Sequence, residues 1–391
     1  MLKVLLFVPR HIDAVAINHD LVSRLATSYP EGIDVQYYVS GENHQTFQLE
    51  DFDLIHFFGC WSHAACIMAS RAYSHGVPYV VTPLGGLQPW ETSKRKHTIL
   101  LRRQRQLVER AAAIHVCGKL EHDTFVKLGW NKRVATVKNP VLTSQISFDE
   151  AAILIERLYR KVIDSNCQLC LKPEIQGIIG TLLQIGTDSH AMGLNRVFQE
   201  DSIGQFVNKF TQLSAEDWRR LLIYSYQEHI TDHVLQAFDA LEIAHPALDI
   251  SNIDRFEPLS RYMEGKLVTE SLLSKNILLK NKVKEVFENN GKAECQMCLA
   301  LLNIHYELNH HTLPLSHFVD LYSLTRFSDV DEDLVRDMVA RLNIEDFASR
   351  LTSAMSTILG LPDGFWIFKP KDGKKTKNII KAMTKFGLYN Y

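Results

Sequence analysis

Apolar residues in the first 142 positions fall into short continuous runs, and segments with apolar residues every three or four positions separate these runs. Continuous runs are typical of strands that are buried on both faces of a parallel sheet. The alternation of the two patterns requires crossover connections, and it predicts an α/β, Rossmann-like domain with a doubly wound parallel sheet at residues 1–146. The predicted strands are 2–8, 33–39, 54–59, 79–84, 113–118 and 133–139, and the predicted helices are 18–29, 62–75, about 91–111 and 119–128.

The spacing changes after Ser147, where apolar residues recur every three or four positions and continuous runs become rare. We therefore expect a mainly α-helical domain of unknown role at residues 147–365. Residues 366–391 are rich in lysine and predict a basic C-terminal tail with a short helix. Two interpretations of this tail stay open: a disordered end, which we favour, and an anchor on an anionic membrane surface.

Composition narrows the functional class. The chain has 46% apolar and 23% charged residues and a formal net charge of -2, which argues against a nucleic-acid binder. It has no apolar run of about 18 residues and no recognisable signal cleavage site, so we expect a cytoplasmic protein. Peripheral contact with the inner face of a membrane stays open. The seven cysteines fit reduced thiols in that compartment.

Ligands of doubly wound sheets bind beyond the carboxyl ends of the strands. Here three such ends carry distinctive residues. The strand at 54–59 ends in Gly59-Cys60-Trp61, the strand at 79–84 leads into PLGGLQPWE (83–91), and the last strand ends at Asn139. These segments resemble the N-terminal, acceptor-binding lobe of family 4 glycosyltransferases, enzymes of the GT-B fold that are built from two Rossmann-like lobes.

The resemblance implies that loops of this lobe hold a sugar acceptor and that a second lobe holds most of a nucleotide-sugar donor. Two features depart from the family. The first strand is followed by PRHIDAVAIN, without the Gly-Gly turn that many members place near the donor phosphates, and the helical half does not resemble a second lobe. His11 and Glu91 are candidates for proton transfer, and Trp61 and Trp90 are candidates for flat apolar faces that bind a sugar. Gly85 and Gly86 could donate backbone N–H groups, and Lys94 and His97 could neutralise a phosphate. Gly59 and Asn139 are candidates for further substrate contacts. For each of these residues, the alternative is helix capping or packing.

The predicted helix at about 91–111 is strongly basic, and it leaves two interpretations open. It could dock on anionic lipid headgroups, or its apolar side could pack on the sheet while its charges are solvated. The basic residues are Lys94, Arg95, Lys96, His97, Arg102, Arg103, Arg105 and Arg110, and the apolar ones are Ile99, Leu100, Leu101 and Leu107.

Two cysteine pairs, Cys167/Cys170 and Cys295/Cys298, have the spacing of metal ligands. Both pairs lie in segments with helical patterns, where the same spacing places apolar side chains on a buried face. We therefore favour buried free thiols and predict no metal site.

Two functional hypotheses follow. The first is a glycosyltransferase-like protein of polysaccharide or glycolipid assembly, which transfers a sugar from a nucleotide-sugar to a glycan or lipid-linked acceptor and requires no further cofactor. The second is a non-catalytic binding or scaffold protein that keeps a degenerate glycosyltransferase lobe. A protein partner is compatible with both.

Overall fold

The computed structural model describes residues 2–41, 47–167, 171, 173–187, 203–256, 277–288, 290–310 and 313–384. The chain forms two compact units. The first comprises Met1–Cys170 with Ile253–Leu259, and the second comprises Leu171–Asn252 with Ser260–Tyr391. The first unit thus extends past residue 146, where the sequence predicts the boundary of the first domain.

The first unit contains one sheet of six parallel strands in the order β2-β1-β3-β4-β5-β6. The chain moves outward from β1 to β2 and then returns to the other side of β1, so the direction of winding reverses between β1 and β3. The predicted fold class of this part is confirmed. The strands are β1 (Leu2–Pro9), β2 (Ile33–Ser40), β3 (Leu54–Phe58), β4 (Tyr79–Thr82), β5 (Ala113–Val116) and β6 (Val134–Thr136).

Helices cover both faces of this sheet. They are α1 (Arg10–Asp13), α2 (Ala16–Ser28), α3 (His63–His75), α4 (Pro89–Ser93), α5 (Ile99–Glu109), α6 (Lys119–Leu128) and α7 (Phe148–Asp164). Alternate residues of β1 point to opposite faces. Val4 and Leu6 share one core with residues of α2 and α7, whereas Leu5 and Phe7 share the other with residues of α3, α5 and α6.

The single helix predicted at about 91–111 is wrong, because the structure has two helices, α4 and α5, in this region. The Thr98 hydroxyl accepts a hydrogen bond from the Leu101 N–H at 3.1 Å and so begins α5 afresh. His97, just before this cap, has a left-handed backbone with φ 68°.

Helix α7 belongs to the sheet and not to the helical half. Ser147 and Glu150 form a capping box at its start, and its apolar face buries Ile155, Tyr159 and Val162. Residues 254–256, much later in the sequence, contact the C-terminal end of α7. The Phe256 N–H donates to the Ser165 hydroxyl at 2.6 Å, and Lys161 pairs with Asp254 at 2.7 Å.

The described residues of the second unit contain helices and no strand, which confirms the predicted helical character. The helices are α8 (Pro173–Gly186), α9 (Ile203–Thr211), α10 (Ala215–Gln227), α11 (Thr231–Ala240), α12 (Ile277–Phe287), α13 (Lys292–His310), α14 (Leu315–Phe327), α15 (Glu332–Arg341), α16 (Glu345–Leu359) and α17 (Lys374–Thr384). Helices α8 and α11 approach closely, since a Cβ on Gly186 would lie 1.9 Å from the carbonyl oxygen of His233.

The favoured interpretation of the tail as a disordered end is wrong for residues 366–384. Helix α17 buries Ile379 and Met383 in the second unit, and Ile367 and Phe368 before it are buried as well. Their apolar side chains explain why this basic segment is ordered. Residues 385–391, which carry the proposed apolar anchors, lie outside the described residues.

Within the described ranges, no helix combines the length and the apolar character needed to cross a membrane.

Candidate functional site

The winding reversal between β1 and β3 brings the loop after β1 against the end of β3. Nε2 of His11 donates to the carbonyl oxygen of Cys60 at 3.2 Å. Gly59 lies directly beneath α1, because a Cβ on it would be 2.4 Å from Cγ1 of Ile12, and its φ is 80°. Gly59 is therefore required by backbone conformation and by close packing. Doubly wound sheets hold their ligands at the carboxyl end of such a winding reversal.

Trp61 joins the loops that follow β3 and β4. Its indole N–H donates to the carbonyl oxygen of Gly86 at 2.7 Å, and its backbone N–H donates to Oε1 of Gln104 on α5 at 2.8 Å. The guanidinium of Arg95 lies 4.6 Å from the ring centroid, so one ring face already has a cation on it. Trp61 has φ 65°, a conformation that costs a non-glycine residue about 1 kcal/mol or more and recurs at functional sites.

The glycines after β4 have their N–H groups occupied within the protein. The Gly85 N–H donates to Oε1 of Glu121 at 2.7 Å, and the Gly86 N–H donates to the carbonyl oxygen of Pro83 at 2.9 Å. A substrate oxygen would therefore have to displace the Glu121 carboxylate to reach Gly85. Gly86 is also packed tightly, since a Cβ there would lie 2.8 Å from Cβ of Cys60.

Glu121 is a residue that the sequence reasoning missed. Its second oxygen, Oε2, accepts from the Cys117 N–H at 2.7 Å, so one carboxylate joins the loops after β4 and β5. Glu121 lies in the first turn of α6, where the positive end of the helix dipole favours an anion. The only local signal is an acidic residue three positions after Gly118, a pattern that also occurs in ordinary helix caps.

Helix α4 presents the exposed part of this edge. Trp90 is 58% exposed, the most accessible aromatic side chain near these loops. The carboxylate of Glu91 accepts from Lys94 at 2.6 Å and from Arg95 at 2.8 Å. These two hydrogen bonds lower the pKa of Glu91, so it is ionised near neutral pH and could accept a proton but not donate one.

The remaining predicted residues differ in their surroundings. In His11, Nε2 carries the proton that it donates to Cys60, which leaves Nδ1 as the lone-pair atom for a general base. His97 is exposed in the turn between α4 and α5. Asn139 is buried after β6, and its Oδ1 accepts from the Val141 N–H at 2.9 Å, so it stabilises its own turn.

A buried polar chain crosses the strands beneath this edge. The His115 Nε2–H donates to the carbonyl oxygen of Val137 at 3.1 Å, so Nδ1 accepts from the Thr82 hydroxyl at 2.7 Å. The Thr82 oxygen then accepts from Nε2 of His56 at 2.6 Å, and Nδ1 of His56 accepts from the Tyr159 hydroxyl at 2.6 Å. The carbonyl group of Val137 accepts only, so it determines which atom donates and which accepts in every hydrogen bond of this network.

Both imidazoles in this chain are neutral. Burial lowers the pKa of His115 to about 4, against a smaller opposing effect of its bond to Val137. Burial, with a contribution from nearby His115, lowers the pKa of His56 well below its usual value. The sequence pattern did not indicate this network, because His56, Thr82 and His115 each read as one polar residue in an otherwise apolar strand, and Tyr159 lies on the apolar face of α7.

The second unit contains a buried carboxyl group. Oε2 of Glu228 accepts from the Leu315 N–H at the start of α14 at 2.9 Å. Burial raises the pKa of Glu228 to about 8, although this backbone bond opposes the shift. Glu228 is therefore mostly protonated at neutral pH and contributes a neutral cap to α14.

The cysteine pairs are only partly within the described residues. Cys167 and Cys298 are buried and Cys295 is partly exposed, and Cys170 lies outside the described residues. Among the residues that the structure describes, no three His, Cys, Asp or Glu side chains are arranged to hold a metal ion.

Six parallel strands with helices on both faces, and with loops that converge at the carboxyl edge, define the first unit as a Rossmann-like domain. Residues 20–140 match the family model of the glycosyl transferase 4-like domain. The first unit thus carries a glycosyl transferase 4-like domain, which confirms the resemblance seen in the sequence. No curated protein and no solved structure matches the chain.

Proposed function

We propose that the protein takes part in glycosyl transfer from a nucleotide-sugar to a glycan or lipid-linked acceptor, in the assembly of a polysaccharide or glycolipid. In this proposal, the carboxyl edge of the first unit holds the acceptor. The observation that carries the proposal is the family match over residues 20–140, since it covers β2 to β6 and the loops that follow β3, β4 and β5 at this edge.

The chemistry of the edge supports sugar binding. Trp90 offers an accessible flat apolar face, and rings of this kind pack against the C–H face of a sugar. His11 would accept a proton through Nδ1, and Lys94 and His97 would lie near a phosphate of the donor or acceptor. Each of these roles is a proposal.

Titration calorimetry with a panel of UDP- and GDP-sugars, followed by assays of hydrolysis and transfer, tests the enzymatic function. We expect binding of at least one donor together with turnover. Trp90→Ala should weaken acceptor binding by roughly three- to tenfold. Trp366→Ala is the matched control, because Trp366 is also accessible, at 38%, and lies in the second unit. If the two substitutions weakened binding equally, Trp90 would not be part of the acceptor-binding site.

The second candidate is a non-catalytic binding or scaffold protein. Two observations favour it: the N–H groups of Gly85 and Gly86 already have partners within the protein, and the described residues of the second unit form helices, not a second Rossmann lobe. Failure to bind any donor in the panel, together with retained glycan binding that Trp90→Ala weakens, would support this alternative.

Peripheral contact with an anionic membrane is a further part of the proposal. Ile99 is 73% exposed and Leu120 is 74% exposed, and basic residues such as Arg102 and Lys119 are nearby in sequence. Leu107, by contrast, is buried in the core, so most of the apolar face of α5 is used in packing. Co-sedimentation with anionic vesicles at low salt should decrease in Ile99→Ser, and no sedimentation of the intact chain would contradict membrane contact.

A further inference from the structure

A groove of about 340 Å³ lies between α3 and α5 on one helical face of the first unit. This volume is within the range of small-molecule sites. Tyr79, the first residue of β4, contributes to its lining, and so does Arg110 just after the end of α5. Both positions lie at the amino edge of the sheet, because α3 and α5 begin at the carboxyl edge and run back. None of the lining residues belongs to the loops that carry Trp61 and Trp90, although Arg103 reaches His63 at the start of α3.

Three arginines line this groove: Arg71 on α3, Arg103 on α5 and Arg110. Arg103 and Arg110 are seven positions apart, two helical turns, so they face the same side. Among the described residues, none of the three has a carboxylate within 4.0 Å. The neighbouring Arg95 and Arg105 differ, since they pair with Glu91 and Glu109 at 2.8 Å each.

Two of these guanidiniums contact groups other than carboxylates. Arg103 contacts Nδ1 of His63 at 3.3 Å. Arg110 lies 4.5 Å from the ring centroid of Tyr73, and the amide oxygen of Gln106, oriented toward it, accepts at 2.9 Å. A backbone hydrogen bond lowers the pKa of Glu50 most, and Arg71 makes the smallest contribution to this shift. The groove therefore carries concentrated positive charge, and an anion would relieve its self-repulsion.

We propose that this groove binds the phosphoryl group of a small anionic compound through Arg71, Arg103 and Arg110. The planar guanidinium group presents paired N–H donors that match phosphoryl oxygens. Ser70 and Gln106 add polar atoms to the lining, and Ile67, which is 56% exposed, offers apolar contact to the body of the ligand. The phosphoryl group could belong to a free metabolite or to a lipid headgroup. This proposal does not depend on glycosyl transfer, since none of the lining residues is among those proposed to bind the sugar substrates.

Titration of the full chain with inorganic pyrophosphate tests the proposal. We expect one binding site per chain, and Arg71→Gln and Arg103→Gln should each weaken binding by about tenfold, the size expected from loss of a charge-assisted hydrogen bond. Both side chains are exposed, so the variants should fold, which circular dichroism checks. Arg105→Gln is the control, because it removes the same charge from the same helix outside the groove.

A second arm uses vesicles that contain phosphatidic acid. Vesicle binding that Arg103→Gln weakens and Arg105→Gln does not, in the absence of pyrophosphate binding, would assign the phosphoryl group to a lipid headgroup. Pyrophosphate binding with the same pattern would assign it to a free compound. The proposal is overturned if neither probe binds, or if the groove variants and the control behave alike.

Discussion

Replacement of Thr82 by valine should destabilise the first unit strongly, although the two side chains have nearly the same volume. Thr82 is fully buried. Its hydroxyl accepts from His56 at 2.6 Å and donates to His115 at 2.7 Å. Valine can do neither, so one ring nitrogen of each imidazole would lose its partner in the interior.

The size of the effect follows from burial. His56 is 0% exposed and His115 is 3% exposed, so water cannot replace the missing hydroxyl without opening the core. A buried polar group that loses its partner costs about 1–3 kcal/mol, and two such groups give about 2–6 kcal/mol. This loss is large against the total stability of about 5–15 kcal/mol that is typical of a domain.

Hydrogen–deuterium exchange across a urea series, read on peptides from β3, β4 and β5, reports the first unit separately from the second. Thr136→Val is the matched control, because Thr136 is exposed on β6 of the same sheet and should change stability by less than about 0.5 kcal/mol. Thr82→Ser should retain most of the stability, since it keeps the hydroxyl. If Thr82→Val and Thr136→Val gave the same exchange profiles, the hydrogen-bonded chain would not stabilise the sheet.

Three further predictions concern other sites. Acidification from pH 6.5 to about 4 should destabilise the first unit by about 3 kcal/mol through His115. Burial lowers the pKa of His115 to about 4 in the folded state, so the unfolded chain takes up the proton first. A urea midpoint that stays constant over this range would contradict a neutral buried imidazole. Burial raises the pKa of Glu228 to about 8, so its contribution to folding stability is complete below pH 4.5 and is lost as pH rises through 8. Glu228→Gln should therefore raise the melting temperature at pH 9. An unchanged melting temperature would argue against a buried carboxyl group. Gly186→Ala should lower the free energy of unfolding by about 1–3 kcal/mol, because the new Cβ would meet the carbonyl oxygen of His233. Gly177→Ala, in the same helix with open space around it, is the control and should raise the free energy of unfolding by about 0.5–1 kcal/mol. Similar thermal melts for both variants would contradict the close contact of α8 with α11.

The sheet could be predicted from sequence because each strand is a local pattern. Residues 54–58, for example, form a continuous buried run, and this signature does not depend on the rest of the chain. The break between α4 and α5 was missed because residues 91–98 are all polar and give no apolar spacing that would locate a helix end. The cap at Thr98 is a single side-chain bond. The short helix of the basic tail was predicted, but its packing was missed because charge dominates its composition, whereas a few apolar residues such as Ile379 determine how it packs.

The geometry of the candidate site was harder to predict because its contacts span long distances in sequence. The bond between Gly85 and Glu121 joins residues 36 positions apart, and that between Trp61 and Gly86 joins residues 25 apart. Neither pairing is visible in a local pattern. The sequence thus identified which loops carry polar and aromatic residues, but not which of their donors the protein itself already occupies.

The first unit is interrupted in sequence, and this has a consequence for synthesis of the protein. All six strands and α7 leave the ribosome before residue 170, but the segment that contacts the end of α7 follows only at residues 254–256. More than eighty residues of the other unit are therefore translated before Ser165 can bond to Phe256 and Lys161 can pair with Asp254. A protein truncated after Cys170 would keep every strand and lack this closing segment.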